Sequence, residues 1–224
     1  MEHSDGRVQE NYYDAEGLRH EVRENGKLLQ FVYHDGELLQ EEGGDNSQTS
    51  YHQGQGIEAF RRDGKNYYYH RDEQSSTAFI TDQAGKILNC YRYDAFGNEP
   101  ETTEQLPNRI RYTGQQYDSL TEQYYLRARY YNPVAGRFMQ EDVYQGDGLN
   151  LYAYCDNNPV TYYDPSGYSE KPSNGMNSYK QPQIGGDGSE GGTYSKNNRL
   201  ALGLSDYLDN FADPVNWKEG LLQI

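Results

Sequence analysis

Tyrosines return along this chain at an interval too long for a helical or strand period and right for a repeated supersecondary unit. Tyr13, Tyr33, Tyr51, Tyr69 and Tyr93 are separated by 20, 18, 18 and 24 positions. Three of them have aspartate and glycine close behind, in Tyr13-Asp14-Ala15-Glu16-Gly17, Tyr33-His34-Asp35-Gly36 and Tyr93-Asp94-Ala95-Phe96-Gly97-Asn98. Within a unit the pattern alternates, so that Leu29, Phe31 and Tyr33 share one strand face, as do Ile87, Asn89, Tyr91 and Tyr93. Asn25-Gly26, Asp35-Gly36, Asp63-Gly64 and Ala84-Gly85 separate the runs and read as hairpin turns. Each unit is predicted to be an antiparallel strand pair. A hairpin is not stable alone, so neighbouring units extend one sheet sideways.

Composition fits thin β-layers rather than a deep core. The apolar fraction is 34%, much of it from 24 tyrosines, whose rings can be half-buried while the hydroxyls reach water or a partner. A net charge of -15 opposes binding to nucleic acid or to anionic membranes. No apolar run approaches the roughly 20 residues of a membrane-spanning helix, and the opening Met1-Glu2-His3-Ser4-Asp5 lacks a secretion signal, which leaves localisation open. Cys90 and Cys155 are too isolated for a disulfide framework or a zinc site. His34, His52 and His70 each follow a tyrosine at an 18-residue interval, which the repeat phase explains without a metal, and no cofactor is expected.

Composition divides the chain. Residues 1–98 read as β-hairpin repeats, interrupted by the polar stretch Glu41 to Gly56, a degenerate repeat or a long surface loop. Residues 99–108 read as a connection, because Pro100, Pro107 and three glutamates oppose a central strand. Residues 109–168 form a dense motif-bearing segment. Residues 169–198, with a glycine-rich run from Gly185 to Gly192, read as a flexible linker. Residues 199–224 are expected to open a variable C-terminal region with a short α-helix, in which Leu200, Leu204, Leu208 and Phe211 share a face and Asp213-Pro214 ends the helix.

Within the dense segment, one series of motifs follows a set order: Arg127-Ala128-Arg129-Tyr130-Tyr131-Asn132-Pro133, Gly136-Arg137-Phe138, Gln140-Glu141-Asp142, Leu149-Asn150-Leu151-Tyr152-Ala153-Tyr154, Asn157-Asn158-Pro159-Val160 and Asp164-Pro165-Ser166-Gly167. That order resembles the core segment of Rhs/YD-repeat proteins, a group that includes bacterial polymorphic toxins, wall-associated proteins, insecticidal toxin-complex components and, more distantly, teneurins. The resemblance is specific from about Tyr93 to Tyr168. It implies an all-β fold, a strip of antiparallel hairpins from a β-spiral shell that encloses a C-terminal toxin. The core segment closes that shell and in many relatives cuts the chain after Asp-Pro-x-Gly, leaving the toxin inside but detached.

The machinery so implied is an intramolecular aspartyl autoprotease. It maps to Asp142 and Asp164 with Arg129 in support, and the cut falls at Gly167, Tyr168 or Ser169. Arg137, Asn150, Tyr152, Asn158, Pro159 and Pro165 carry the rest of the motif. Two neighbouring carboxylates do not ionise together easily, so one stays protonated to donate to the scissile carbonyl while the other activates water. An arginine holds the ionised partner. The sequence departs from the pattern at Val143, where many relatives have proline, and at Tyr168, where leucine is frequent. The implied partners are the chain's own C-terminal toxin region, the remaining shell and an immunity protein, and full-length relatives are secreted or wall-associated. Read on residue types alone, Asp-Pro-x-Gly is also an ordinary turn. Tyrosine faces beside carboxylates also suit an adhesion or glycan-binding module, and the few repeats suit a displaced cassette with exposed sheet edges.

Overall fold

A computed structural model describes residues 6–54, 56–143 and 150–173. Its first ten strands are β1 (Gln9–Tyr13), β2 (Arg19–Glu24), β3 (Lys27–His34), β4 (Glu37–Gly43), β5 (Gln48–Gly54), β6 (Gly56–Arg62), β7 (Lys65–Arg71), β8 (Thr77–Asp82), β9 (Ile87–Arg92) and β10 (Glu101–Glu104). They form one antiparallel sheet in which every strand pairs with its sequence neighbours. The repeat is therefore a meander, the topology that short turns dictate.

Two turn chemistries build it. Asn25-Gly26, Asp35-Gly36 and Asp63-Gly64 have φ of +50 and +80°, +50 and +77°, and +51 and +74°. Positive φ at both central residues matches the two-residue turn that follows strand twist. The second chemistry explains the recurring aspartate. Asp94 Oδ1 accepts the N–H groups of Phe96 at 2.8 Å and Asn98 at 3.0 Å, while the Gly97 N–H returns to the Asp94 carbonyl at 3.1 Å. Asp14, Asp72 and Asp82 repeat this geometry with the N–H groups two and four residues on. The residue three places after the aspartate has φ of +81° at Gly17, +67° at Ser75, +80° at Gly85 and +85° at Gly97.

One face of the sheet is buried. Val22, Phe31, Leu38, Tyr51, Phe60, Tyr67, Tyr69, Ile80 and Tyr91 form its core together with Ile110 of the following segment. The buried tyrosines find partners: Tyr51 donates to Glu41 at 2.8 Å and Tyr69 to Asn108 at 2.8 Å. Leu29 and Tyr33 flank Phe31 on this face, as the alternation predicts. Ile87 departs from its predicted face because the β8–β9 register shifts between Ile80 and Thr81.

Of the two alternatives for Glu41 to Gly56 the structure takes the repeat, and the 99–108 connection holds an edge strand, not a central one. Glu41 to Gly56 is not a long loop: β4 and β5 run through it, joined by a turn in which Gly43 donates to the Ser47 carbonyl at 2.8 Å and Asp45 Oδ1 accepts the Ser47 N–H at 3.0 Å. Its polar residues mislead because Glu41 and Thr49 are buried members of the hydrogen-bonded face. The connection 99–108 contains β10, a wholly exposed edge strand between its two prolines, where missing donors are tolerated.

The dense segment makes a second, four-stranded sheet of β11 (Gln116–Asp118), β12 (Gln123–Tyr125), β13 (Tyr130–Asn132) and β14 (Arg137–Phe138), and then a pair, β15 (Tyr162–Tyr163) and β16 (Lys171–Pro172). Its core contains Tyr112, Tyr124, Leu126, Tyr131, Phe138, Tyr154 and Cys155. Tyr131 and Tyr154 stack at 4.1 Å between centroids, and Phe138 meets Tyr154 edge-on at 5.6 Å, both favourable ring geometries. The linker expected from residue 169 begins as β16. Residues 174–224, with the expected linker remainder and helix, lie outside the described residues.

The two sheets meet around Arg19, which is fully buried with Asp118. Its guanidinium contacts both Asp118 oxygens, donates to Gln116 at 3.1 Å and lies 4.3 Å from the Tyr125 ring centroid, while its backbone N–H donates to the Tyr125 hydroxyl at 2.8 Å. Gln9 and Arg109 reach the same carboxylate at 3.0 and 3.2 Å. Burial pushes the Asp118 carboxyl up, but the Arg19 and Arg109 guanidiniums outweigh it and hold it below the ordinary aspartate range.

Breaking a buried pair leaves an uncompensated charge, so Asp118→Asn is expected to cost about 3–5 kcal/mol in denaturant unfolding. An Arg19→Met, Asp118→Leu double variant should recover part of that loss. Because the Asp118 value is depressed, its contribution is fully present above the unfolded value of about 3.9 and is lost as pH falls through the folded one. A comparison of equivalent glycines tests the turns. Gly17→Ala should cost about 1 kcal/mol through φ alone, since a Cβ there meets nothing within 4 Å. Gly97→Ala should cost about 1–3 kcal/mol more, because its Cβ would lie 2.5 Å from the Tyr112 ring.

Candidate functional site

Three separate stretches converge behind the second sheet. Arg129 immediately precedes β13, in a turn where the Leu126 N–H donates to the Arg129 carbonyl at 2.9 Å. Asp142 follows β14, fixed by its N–H to the Leu151 carbonyl at 3.0 Å. Asp164 opens the Asp-Pro-Ser-Gly turn after β15. Its Oδ1 accepts the N–H groups of Ser166 at 2.9 Å and Gly167 at 2.8 Å, so this carboxylate organises a tighter turn than those of the repeats, with its second donor three residues on instead of four. Gly167 has φ of +75°, and a Cβ there would lie 2.7 Å from the Leu126 carbonyl oxygen. Only glycine lets the two turns press this closely, that of Gly167 on that of Leu126 to Arg129.

The other Asp164 oxygen faces Arg129. Arg129 Nη2 stands 2.8 Å from Asp142 Oδ2 and 3.8 Å from Asp164 Oδ2, so the two carboxylates can be no farther apart than those distances combined. Arg129 Nε donates to the Gly167 carbonyl, Nη1 donates to the Leu151 carbonyl at 3.3 Å, and the guanidinium carbon lies 3.7 Å from the Phe138 ring centroid. Every edge of the guanidinium is thereby engaged, which fixes its plane. Arg129, Asp142 and Asp164 are all buried. Burial pushes the Asp164 carboxyl above its ordinary value, against the opposing hydrogen bonds from Ser166 and Gly167 and the charge of Arg129.

A cavity of about 20 Å³ lies among Arg129, Asp142, Asp164, Tyr168 and Ser169, with Asn150, Cys155 and Asp156 in its wall. That is the scale of a single water. Cys155, Asp156 and Asn157 have φ of +50, +49 and +59°, three consecutive left-handed residues beside the cavity, and such strain persists only where surrounding packing enforces it. Burial also pushes the Cys155 thiol up, making it a poor nucleophile.

The structure thus brings together Arg129, Asp142 and Asp164 with the predicted cut residues Gly167, Tyr168 and Ser169. Of the remaining motif residues, only Asn150 borders the cavity. Arg137 is exposed on β14, and the Tyr152 carbonyl accepts the Phe138 N–H at 3.0 Å. The Asn158 carbonyl takes the Thr161 and Tyr162 N–H groups, each at 3.2 Å. The Pro159 carbonyl accepts from Gln74 at 2.6 Å and that of Pro165 from Arg127 at 2.9 Å. These residues shape the backbone around the site. Phe138 and the Leu151 carbonyl were not anticipated. Alternation along Gly136-Arg137-Phe138 offers a signal for Phe138, since an exposed Arg137 turns its neighbour inward.

The teneurin YD-shell family profile matches residues 4–160. The chain is 41% identical over 170 residues to the tRNA3(Ser)-specific nuclease WapA of Bacillus spizizenii, covering 70% of this chain and 7% of that protein. It is 33% identical over 101 residues to the toxin protein Tse5 of Pseudomonas aeruginosa, covering 45% and 8%. A solved structure of TcdB2-TccC3-Cdc42 superposes with a TM-score of 0.61 at 23% identity, over 71% of this chain and 9% of that one, a likeness of fold. The chain therefore spans less than a tenth of these relatives' lengths.

The two aspartates are expected to respond oppositely to amidation in denaturant unfolding. Asp164→Asn keeps the Oδ1 acceptor and removes a charge that burial disfavours, so stability at pH 7 should hold or rise. Because the Asp164 value is raised, that advantage should shrink as pH falls through it. Asp142→Asn takes the anion from a buried guanidinium and should cost about 1–3 kcal/mol.

Proposed function

The chain belongs to the teneurin YD-shell family, and from that premise we propose that it is the structural and processing end of a polymorphic toxin. In this reading its ten-stranded sheet is a strip of shell wall around a C-terminal toxin, and its core segment cuts the chain once, between Tyr168 and Ser169. Wall-associated or secreted placement and an immunity partner belong to the same proposal. Among the described residues no helix is long and apolar enough to cross a membrane.

The observation that carries the reading is the single guanidinium nitrogen of Arg129 at 2.8 Å from Asp142 and 3.8 Å from Asp164, beside a one-water cavity bordered by Tyr168 and Ser169. Asp142, held by Arg129, takes a proton from the water as its oxygen adds to the Tyr168 carbonyl carbon. Asp164, whose carboxyl burial pushes up, supplies a proton to the departing Ser169 nitrogen. The C–N bond breaks, leaving a Tyr168 carboxylic acid, which loses its proton to solvent, and a Ser169 amine. Arg129 Nε on the Gly167 carbonyl fixes the register of the segment.

Mass spectrometry of the purified chain should find a fragment ending at Tyr168. Asp164→Asn should slow its appearance at least about 100-fold, the scale of a lost acid–base group. Cleavage should also slow as pH rises through the raised Asp164 value, where the donor proton is lost. A wild-type chain that stays intact for days from pH 4 to pH 8 would falsify the processing role.

A further inference from the structure

The predicted scissile bond lies in the loop of a hairpin. β15 and β16 pair antiparallel, Tyr162 with Pro172 and Tyr163 with Lys171, and residues 164–170 connect them. Beyond the ladder the Ser173 N–H donates to the Thr161 carbonyl at 2.9 Å, and Ser173 is buried. Tyr168 and Ser169 are exposed in this loop. Both arms have independent anchorage: Tyr162 packs on the second core, and Glu170 borders the cavity beside Ser169.

We infer that Thr161 and β15 form a docking edge for the chain end that cleavage creates, so that residues 169–173 stay paired to the core segment after the cut. Hydrolysis of one bond in the loop removes the covalent connection and leaves the ladder, the Ser173 hydrogen bond and the burial of Ser173 in place. The new end is then a short added strand, held by main-chain hydrogen bonds as extended peptides are held at sheet edges. Its dissociation requires those groups to be freed together. The Ser173 N–H is the donor that flanks the Tyr162–Pro172 pair, where proline needs none because that position faces away from β15, so Ser173 is the residue on which the docking turns. A detached toxin would on this account remain attached at its first residues until β16 is displaced.

The cut rests on the self-cleavage reading, but the docking does not, and the experiment separates them. The full chain carries a different affinity tag at each end, and the N-terminal piece is captured after cleavage. In a second chain, a site-specific protease sequence is inserted between Tyr168 and Ser169 with Asp164→Asn, so that added protease makes the cut. Both chains are compared with Ser173→Pro versions. Co-capture of the C-terminal piece in equal amount is expected, with at least a tenfold loss in the Ser173→Pro chains. If the first chain never cuts while the protease-cut chain retains its piece, the processing role falls and the docking edge stands. Separation of the pieces in the protease-cut chain, or retention unchanged by Ser173→Pro, overturns the docking edge.

Discussion

The buried contact between Arg19 and Asp118 sets the relation between the two sheets. Arg19 begins β2 in the first hairpin, and Asp118 ends β11 in the dense segment, so the pair closes the chain over 99 positions. A guanidinium without solvent needs its charge matched, and here both terminal nitrogens reach the Asp118 carboxylate, Gln116 accepts from one of them and the Tyr125 ring lies against the group. Hydrophobic contact alone would let a tyrosine-rich face slide. A bidentate pair admits one register and so fixes where the residues after Asp118 begin.

The same economy appears in the aspartates. In the repeats a carboxylate replaces missing strand bonds by accepting two backbone N–H groups, which makes a turn independent of the sheet it joins. Asp164 retains this task through Oδ1 and turns Oδ2 toward Arg129. Turn and site are therefore not alternative roles for this residue. The turn holds the carboxylate in a buried position where its ionised form is disfavoured, and the perturbed proton affinity follows from that placement.

Much of the fold was legible because hairpin chemistry is local. Asn25-Gly26 and its kin encode their own φ values, and the aspartate–glycine spacing encodes the wider turns. The polar stretch from Glu41 was less legible, since Glu41 is buried only because Tyr51, ten residues later, donates to it. The trio of Arg129, Asp142 and Asp164 was implied only by the family resemblance, since spacing alone permits their meeting without requiring it, and Arg19 and Asp118 carry no local signal of theirs. Phe138 beneath Arg129 and the left-handed run from Cys155 likewise depend on packing between segments distant in sequence.

The size of the cavity limits what chemistry there can act upon. Space of about 20 Å³ admits a water and no peptide, and Tyr168 and Ser169 themselves form part of its wall. In the proposed processing reaction the substrate segment and the site would therefore be one folded unit, oriented by folding rather than by binding. Gly167 permits the close approach: a Cβ there would lie 2.9 Å from the Arg129 backbone nitrogen, so the segment leading to Tyr168 is pressed against the residue whose guanidinium meets both carboxylates. A site so constructed has no means of exchanging its segment for another chain's. The proposed cut would accordingly be confined to its own polypeptide and occur once per molecule.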